Sequence, residues 1–247
     1  MVSIINQLQE SAINHFKSCG LVETGYASTR EMDKRGLIWV VHKLQVVVDL
    51  YPSWNDIVQL STWVCVCGKN NFRRDWIIHD SKTGEVLIRA ICFYALMNKD
   101  TRKLSNVDDE IMADITPFLS NCDPIVKEDN SILRKLDVNS KDCIGSHLVT
   151  KSCDLDLNQH VSHIISYINW ILESAPPMVV KNHWLSAITI KYRKECGIDR
   201  KLKSLYVPIR DDNNGDESEE GIKFQHAFFT DECELVRART VWKPKPT

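Results

Sequence analysis

An apolar helical stripe followed by a run of alternating strands occurs twice in these 247 residues, and that repeat constrains the fold more than any other feature. In residues 3–18 the apolar side chains Ile4, Ile5, Leu8, Ala12, Ile13 and Phe16 recur at helical spacing up to Gly20. Residues 37–51 are rich in Val, Ile and Trp and read as a strand ending at Pro52; 57–67 alternates, with a turn at Asn70 and Asn71, and 72–79 is the next strand. Lys82, Thr83 and Gly84 supply a hairpin turn into 86–97. The second round begins with a short strand at 147–153. A helix over 161–174 follows, striped by Val161, Ile164, Ile165, Ile168, Ile171 and Leu172 and stopped by Pro176 and Pro177. Strands are expected at 184–194, 202–210, 222–230 and 233–242, with Asn213, Asn214 and Gly215 in an acidic loop. A twisted antiparallel sheet needs its apolar face covered, and one helix per sheet does that, so the class is α+β with two copies of one unit.

The stretch between the two rounds changes character. Asp, Asn, Ser and Lys dominate 99–145, with a short helix expected near 108–118. The expected division is therefore an N-terminal unit at 1–105, a linker at 106–145 and a C-terminal unit at 146–247.

Composition narrows the function classes. A net charge of −2 provides no basic excess for phosphate neutralisation, which argues against a nucleic-acid protein. No apolar run of about 18 residues is present, so no integral membrane segment is expected. Nine cysteines at irregular spacing, without a CxxC pair, suggest neither a zinc site nor a disulfide framework. A reducing compartment is the better fit, with Cys65 and Cys67 as small buried hydrophobes on one strand face. His15, His42, His79, His147 and His226 are scattered and suggest no metal, and no cofactor is expected. Neither a signal peptide nor a transit-type leader is visible at Met1.

The chemistry-bearing stretch is Asp154-Leu-Asp156-Leu-Asn158-Gln-His160-Val161. In an extended segment Asp156, Asn158 and His160 point to one side, and the following helix would aim its positive end at the same spot. A carboxylate, an amide, an imidazole and a helix N-terminus can orient a water and stabilise an oxyanion, the chemistry of acyl-bond hydrolysis. By themselves the same residues also suit a capped helix start, the blander and commoner use.

The chain resembles the plant fatty acyl-ACP thioesterases, closest to the B type, over nearly its whole length. The resemblance rests on Leu37-Ile-Trp-Val-Val, Val46-Val-Val-Asp-Leu-Tyr-Pro-Ser-Trp54, Gly68-Lys-Asn, Arg73-Arg-Asp-Trp76, Met97-Asn-Lys-Asp-Thr-Arg102, the 154–160 stretch, Trp170-Ile-Leu-Glu-Ser174 and Tyr192-Arg-Lys-Glu-Cys196. It implies a tandem hot-dog fold, each sheet wrapped around a central helix, and hydrolysis of acyl-ACP to free fatty acid in the plastid stroma. It also implies that the first unit houses the acyl tunnel. Carried over, Asn158 holds the thioester carbonyl, His160 and Glu195 orient and deprotonate water, and Asp156 fixes the network; histidine suits this because its ordinary pKa lies near neutrality.

Cys196 is the rival nucleophile, in a Cys–His–Asn arrangement. The even-numbered apolar residues Trp184, Ile188, Ile190 and Tyr192 set one strand face; if the strand runs on, Cys196 shares that core face and Glu195 points away. Basic pairs at Arg73, Arg74, Arg102, Lys103, Arg193 and Lys194 suit docking of the acidic acyl carrier protein, although most such pairs are simply solvated. Trp39, Trp54, Trp63 and Trp76 read as core. Hot-dog units commonly pair, which leaves a homodimer open.

Two departures from the family pattern stand out. Family members carry a further strand and helix start ahead of the segment matching Gln7 to Glu10, which would leave a sheet edge unpaired here. One residue more than the family pattern separates His160 from Tyr167; it would rotate the helix beyond by about 100° unless a π-bulge absorbs it. The competing readings are a catalytically impaired acyl-ACP- or lipid-binding descendant and a hot-dog 3-hydroxyacyl dehydratase.

Overall fold

The computed structural model describes residues 1–21, 28–68, 71–131, 133–137, 143–156, 159–209, 221–231 and 233–245. Asn158, Asn70 and the acidic loop at 213–215 lie outside them. The chain divides into two compact units, one comprising Gln7–Glu128 and the other Asp129–Thr247 with Met1–Asn6.

The N-terminal unit holds α1 (Val2–Ser18) from Gln7 onward, then α2 (Arg30–Lys34) and the antiparallel strands β1 (Leu37–Val48), β2 (Val58–Cys67), β3 (Asn71–Asp80) and β4 (Val86–Asn98). Their spatial order is β2-β3-β4-β1, and the two-residue β5 (Leu104–Ser105) pairs with β4. Gly84 turns β3 into β4 at a φ of 74°, a left-handed conformation that glycine adopts without a Cβ penalty. α1 lies against one face of this sheet: Leu8 and Ala12 are buried, and Ser11 Oγ accepts from Trp76 Nε1 at 3.0 Å.

The opposite face is not left to solvent. Residues 119–128, part of the polar stretch between the repeats, cross it as a strap. Leu119 bridges Val64, Ser120 N donates to Val64 O (2.7 Å), and Ile125 N donates to an Asp75 carboxylate oxygen (2.9 Å). Further along, Lys127 O accepts from Gln45 and Glu128 pairs with Lys43 at 2.8 Å. Val126 packs with Ile91 and Phe93. Both sheet faces are therefore covered, which explains why Lys43, Gln45, Arg73 and Asp75 are buried alongside their apolar neighbours.

α2 has no counterpart in the sequence expectations. Thr29 caps it, its side chain accepting from Met32 N (3.3 Å), and Asp108 caps α3 (Asp109–Ile115) in the same way (3.1 Å). Met32, Ile111 and Ile115 close a satellite core with Leu37, Val64, Phe72 and Leu96.

The C-terminal unit carries β6 (Ile144–Val149), α4 (Ile165–Ser174), α5 (Pro177–Asn182), β7 (His183–Tyr192), β8 (Lys201–Ile209), β9 (Ile222–Phe229) and β10 (Glu234–Pro244). The order is β7-β10-β9-β8-β6, antiparallel throughout. α4 buries Ile168 and Ile171 and stacks Tyr167 and Trp170 on Phe228, with ring centroids 5.8 and 5.9 Å apart. Ser174 Oγ meets His226 Nδ1 at 3.1 Å, and His226 Nε2 meets Thr240 Oγ1 at 2.9 Å. Residues from 129 onward serve this unit: Asp129 accepts from Thr189 (3.0 Å), and Leu136 packs with Leu205 and Phe229.

Several expectations need correction. The strand expected at 147–153 is β6 at Ile144–Val149, and Ser152–Asp154 is instead a 3-10 turn. Trp54 is 93% exposed, because it sits in the irregular connection between β1 and β2 rather than on a strand face. Trp76 is buried, while Trp39 and Trp63 are half-buried. Among the described residues no helix is long and apolar enough to cross a membrane.

Candidate active site

The stretch around Asp156 is a tight turn, not the extended run that alternation suggested. Leu155 and Val161 form an isolated antiparallel bridge. Inside it, Asp156 N donates to His160 O (2.7 Å), and His160 N donates back to an Asp156 carboxylate oxygen (3.2 Å). Gln159 N donates to Asp156 O at 3.0 Å, and Gln159 takes a left-handed φ of 61°. Asp156 and His160 are thus neighbours because the chain doubles back.

The helix also begins later than expected. α4 starts at Ile165, whose N–H donates to Ser162 Oγ (3.1 Å), and Asp154 O accepts from Ser162 N and from Ser166 Oγ. A turn at His163 and Ile164 separates His160 from the helix that carries Tyr167. No π-bulge is present among the described residues of α4.

A second segment, 193–197, runs past this turn. Val161 N donates to Cys196 O (2.7 Å), which sets Glu195 beside His160: Nε2 and Oε2 are 3.5 Å apart. Both side chains are partly open, 34% and 38% exposed. Asp156, His160 and Glu195 therefore come together at the surface of one unit, and Asn158 lies outside the described residues.

Cys196 behaves differently. It is 5% exposed, its Sγ contacts Gly197 O at 3.6 Å, and burial holds its thiol above the ordinary range, with Arg200 pulling weakly the other way. A thiol kept protonated is a poor nucleophile. The parity extrapolation reached the same burial by a route the backbone does not take. β7 ends at Tyr192, and a register shift between Val241 and Trp242 on its partner leaves Leu185 buried while Trp184 is half-buried.

Three supporting residues were missed. Thr150, fully buried, donates to Gly197 O (2.9 Å) and accepts from Arg200 N (2.8 Å), fixing the loop that carries Glu195. Tyr192 Oη donates to His163 O at 2.5 Å, and the two rings meet edge to face at 5.7 Å. Burial pushes His163 down to about 4, against the pull of Asp156, so this second imidazole is neutral at pH 7. The placement of His163 three residues after His160 was the available signal.

The basic candidates split. Arg73 and Arg74 are buried and are withdrawn as docking residues. Arg73 pairs with Asp75 at 2.6 Å beneath the strap. Arg74 lies 4.5 Å from the Phe16 ring and 3.2 Å from His15 Nδ1, on the α1 side. Arg193, Lys194 and Lys103 are exposed; Arg102 is half-buried in the turn after β4, and Arg193 lies 3.4 Å from Glu234. Among the described residues no group of three or more His, Cys, Asp or Glu has metal-binding placement.

Residues 1–115 match the N-terminal domain of the acyl-ACP thioesterases, and 139–244 match their C-terminal domain. The chain belongs to the acyl-ACP thioesterase family. It is 47% identical over 98% of its length to the chloroplastic palmitoyl-acyl carrier protein thioesterase of Gossypium hirsutum, and 44% identical to that of Arabidopsis thaliana. The chain spans 59% of the length of each. The solved 12:0-ACP thioesterase of Umbellularia californica superposes with a TM-score of 0.87 at 37% identity, covering 99% of this chain and 87% of that one. The fold is accordingly the family's α+β tandem hot-dog.

Proposed function

We propose that this chain hydrolyses the thioester of fatty acyl-ACP and releases free fatty acid in the plastid stroma. The observation that carries the reading is the His160–Glu195 pair, 3.5 Å apart and open to solvent beside a turn that Asp156 braces. A water held between imidazole and carboxylate gives up its proton as it attacks the thioester carbonyl. The tetrahedral oxyanion collapses, the C–S bond breaks, and the phosphopantetheine thiolate leaves with a proton. Burial of Cys196 favours this water route over a covalent acyl-enzyme. Arg193 and Lys194, exposed just before Glu195, suit the acidic carrier protein.

The test is fatty acid release from palmitoyl-ACP by the purified protein beside His160→Ala, Glu195→Gln and Cys196→Ala. Loss in the first two with retention in the third supports the water mechanism. Loss in Cys196→Ala with trapping of an acyl-enzyme would restore the cysteine route, and a folded but inactive parent chain would favour a binding protein.

A further inference from the structure

Cys65 and Cys122 are 57 positions apart in sequence, yet their sulfurs lie 3.1 Å apart within the N-terminal unit. Cys65 is buried on β2, the end strand in the order β2-β3-β4-β1; Cys122 is exposed on the strap. Their proximity is held from both sides. Ser120 N is bound to Val64 O, Cys122 O accepts from Arg73 Nη2 at 2.8 Å, and Ile125 N is bound to Asp75. Asp75 also grips Arg73, so one buried carboxylate fixes both the strap and the guanidinium beside the sulfurs.

We propose that Cys65 and Cys122 form a dithiol–disulfide pair that staples the strap to the edge of the N-terminal sheet by exchange with a small-molecule disulfide such as glutathione disulfide. Cys122, the accessible member, attacks as the thiolate; one S–S bond of the oxidant breaks, a mixed disulfide forms on Cys122 Sγ and the first glutathione thiolate leaves. The Cys65 thiol then loses its proton to solvent and attacks Cys122 Sγ, expelling the second glutathione. Two protein thiols are oxidised and one glutathione disulfide is reduced to two thiols. Burial holds the Cys65 thiol up at about 11, with the bond to Cys122 adding to this and the Arg73 charge opposing it. Arg73 therefore stabilises the anion that the second step needs, and the short separation offsets the scarcity of that anion.

The experiment uses the whole chain, reduced with a phosphine, freed of reductant and incubated with glutathione disulfide, followed by alkylation, peptide mass mapping and thermal melting. The expected product is a fragment pair joined through Cys65 and Cys122. Tm should rise by about 5–10 °C, reversibly, as expected for closing a long loop. Cys65→Ser should stop at a stable glutathione adduct on Cys122, with Cys65→Ala as the alternative if the serine disturbs the buried site. Glutathione retained on Cys122 of the unsubstituted chain, Cys122 joined to another cysteine, or full alkylation of both thiols would overturn the proposal.

Discussion

The N-terminal unit buries Arg73, Arg74 and Asp75 under two coverings, whereas the C-terminal unit leaves an imidazole and a carboxylate side by side at its rim. Arg73 and Asp75 lie under the strap, Arg74 lies under α1, and all three are buried. His160 and Glu195 sit at a turn with about a third of each side chain open. In a buried charge pair, removing one partner strands the other. Side chains at a rim meet water directly, which the proposed hydrolysis requires. The same helix-and-meander plan thus carries charge buried among several partners in one unit and titratable side chains open to water in the other.

The sharpest break in that comparison is His160→Ala, which should lower kcat/KM on palmitoyl-ACP by about 10³-fold while leaving the melting temperature nearly unchanged. Asp75→Ala should do the reverse in kind. Stranding Arg73 and releasing Ile125 should destabilise the protein by about 3–5 kcal/mol in urea unfolding, and an effect below about 1 kcal/mol would show that the strap is not held by this carboxylate.

Acidification sharpens the contrast from another side. Burial pushes His226 down to about 3, so between pH 6.5 and 3 the unfolded chain binds a proton that the folded chain refuses. Its stabilising contribution is complete above the unfolded pKa and is lost as pH falls, by about 2 kcal/mol between pH 6.5 and 5. Urea midpoints at pH 7 and pH 5 read this loss, and His226→Asn should flatten the slope by one proton. The smallest expected effect is that of Cys196→Ala, within about 3-fold of the parent rate. A loss of 100-fold or more would move the chemistry into the buried part of the C-terminal unit.

The sequence made the helices and strands of each repeat legible because their apolar residues keep a period of 3.6 or 2. The strap was not legible, since Ser120, Asp123 and Glu128 look like solvated linker and their binding partners lie far away in sequence. The same remoteness hid the fate of Arg73 and Arg74: a charge pair on a strand is usually exposed, and only a second covering layer buries both members. At the site, alternation put Asp156 and His160 on one side and the resemblance added Glu195; the structure brings the three together by another local route. Alternation predicted a shared face, while a left-handed Gln159 and a two-way hydrogen bond between Asp156 and His160 produce the proximity. Turn geometry set by one residue's φ leaves little trace in composition.

The strap also sets an order of events. Its closing contacts, Lys43 with Glu128, Gln45 with Lys127 and Asp75 with Ile125, join positions 85, 82 and 50 residues apart. β1 through β4 can pair before residue 128 has left the ribosome, and until then Arg73 and Asp75 face water on an uncovered sheet. Completion of the N-terminal unit therefore waits on sequence that lies beyond its strands, and a released chain truncated before residue 119 should expose that face to chaperones and proteases.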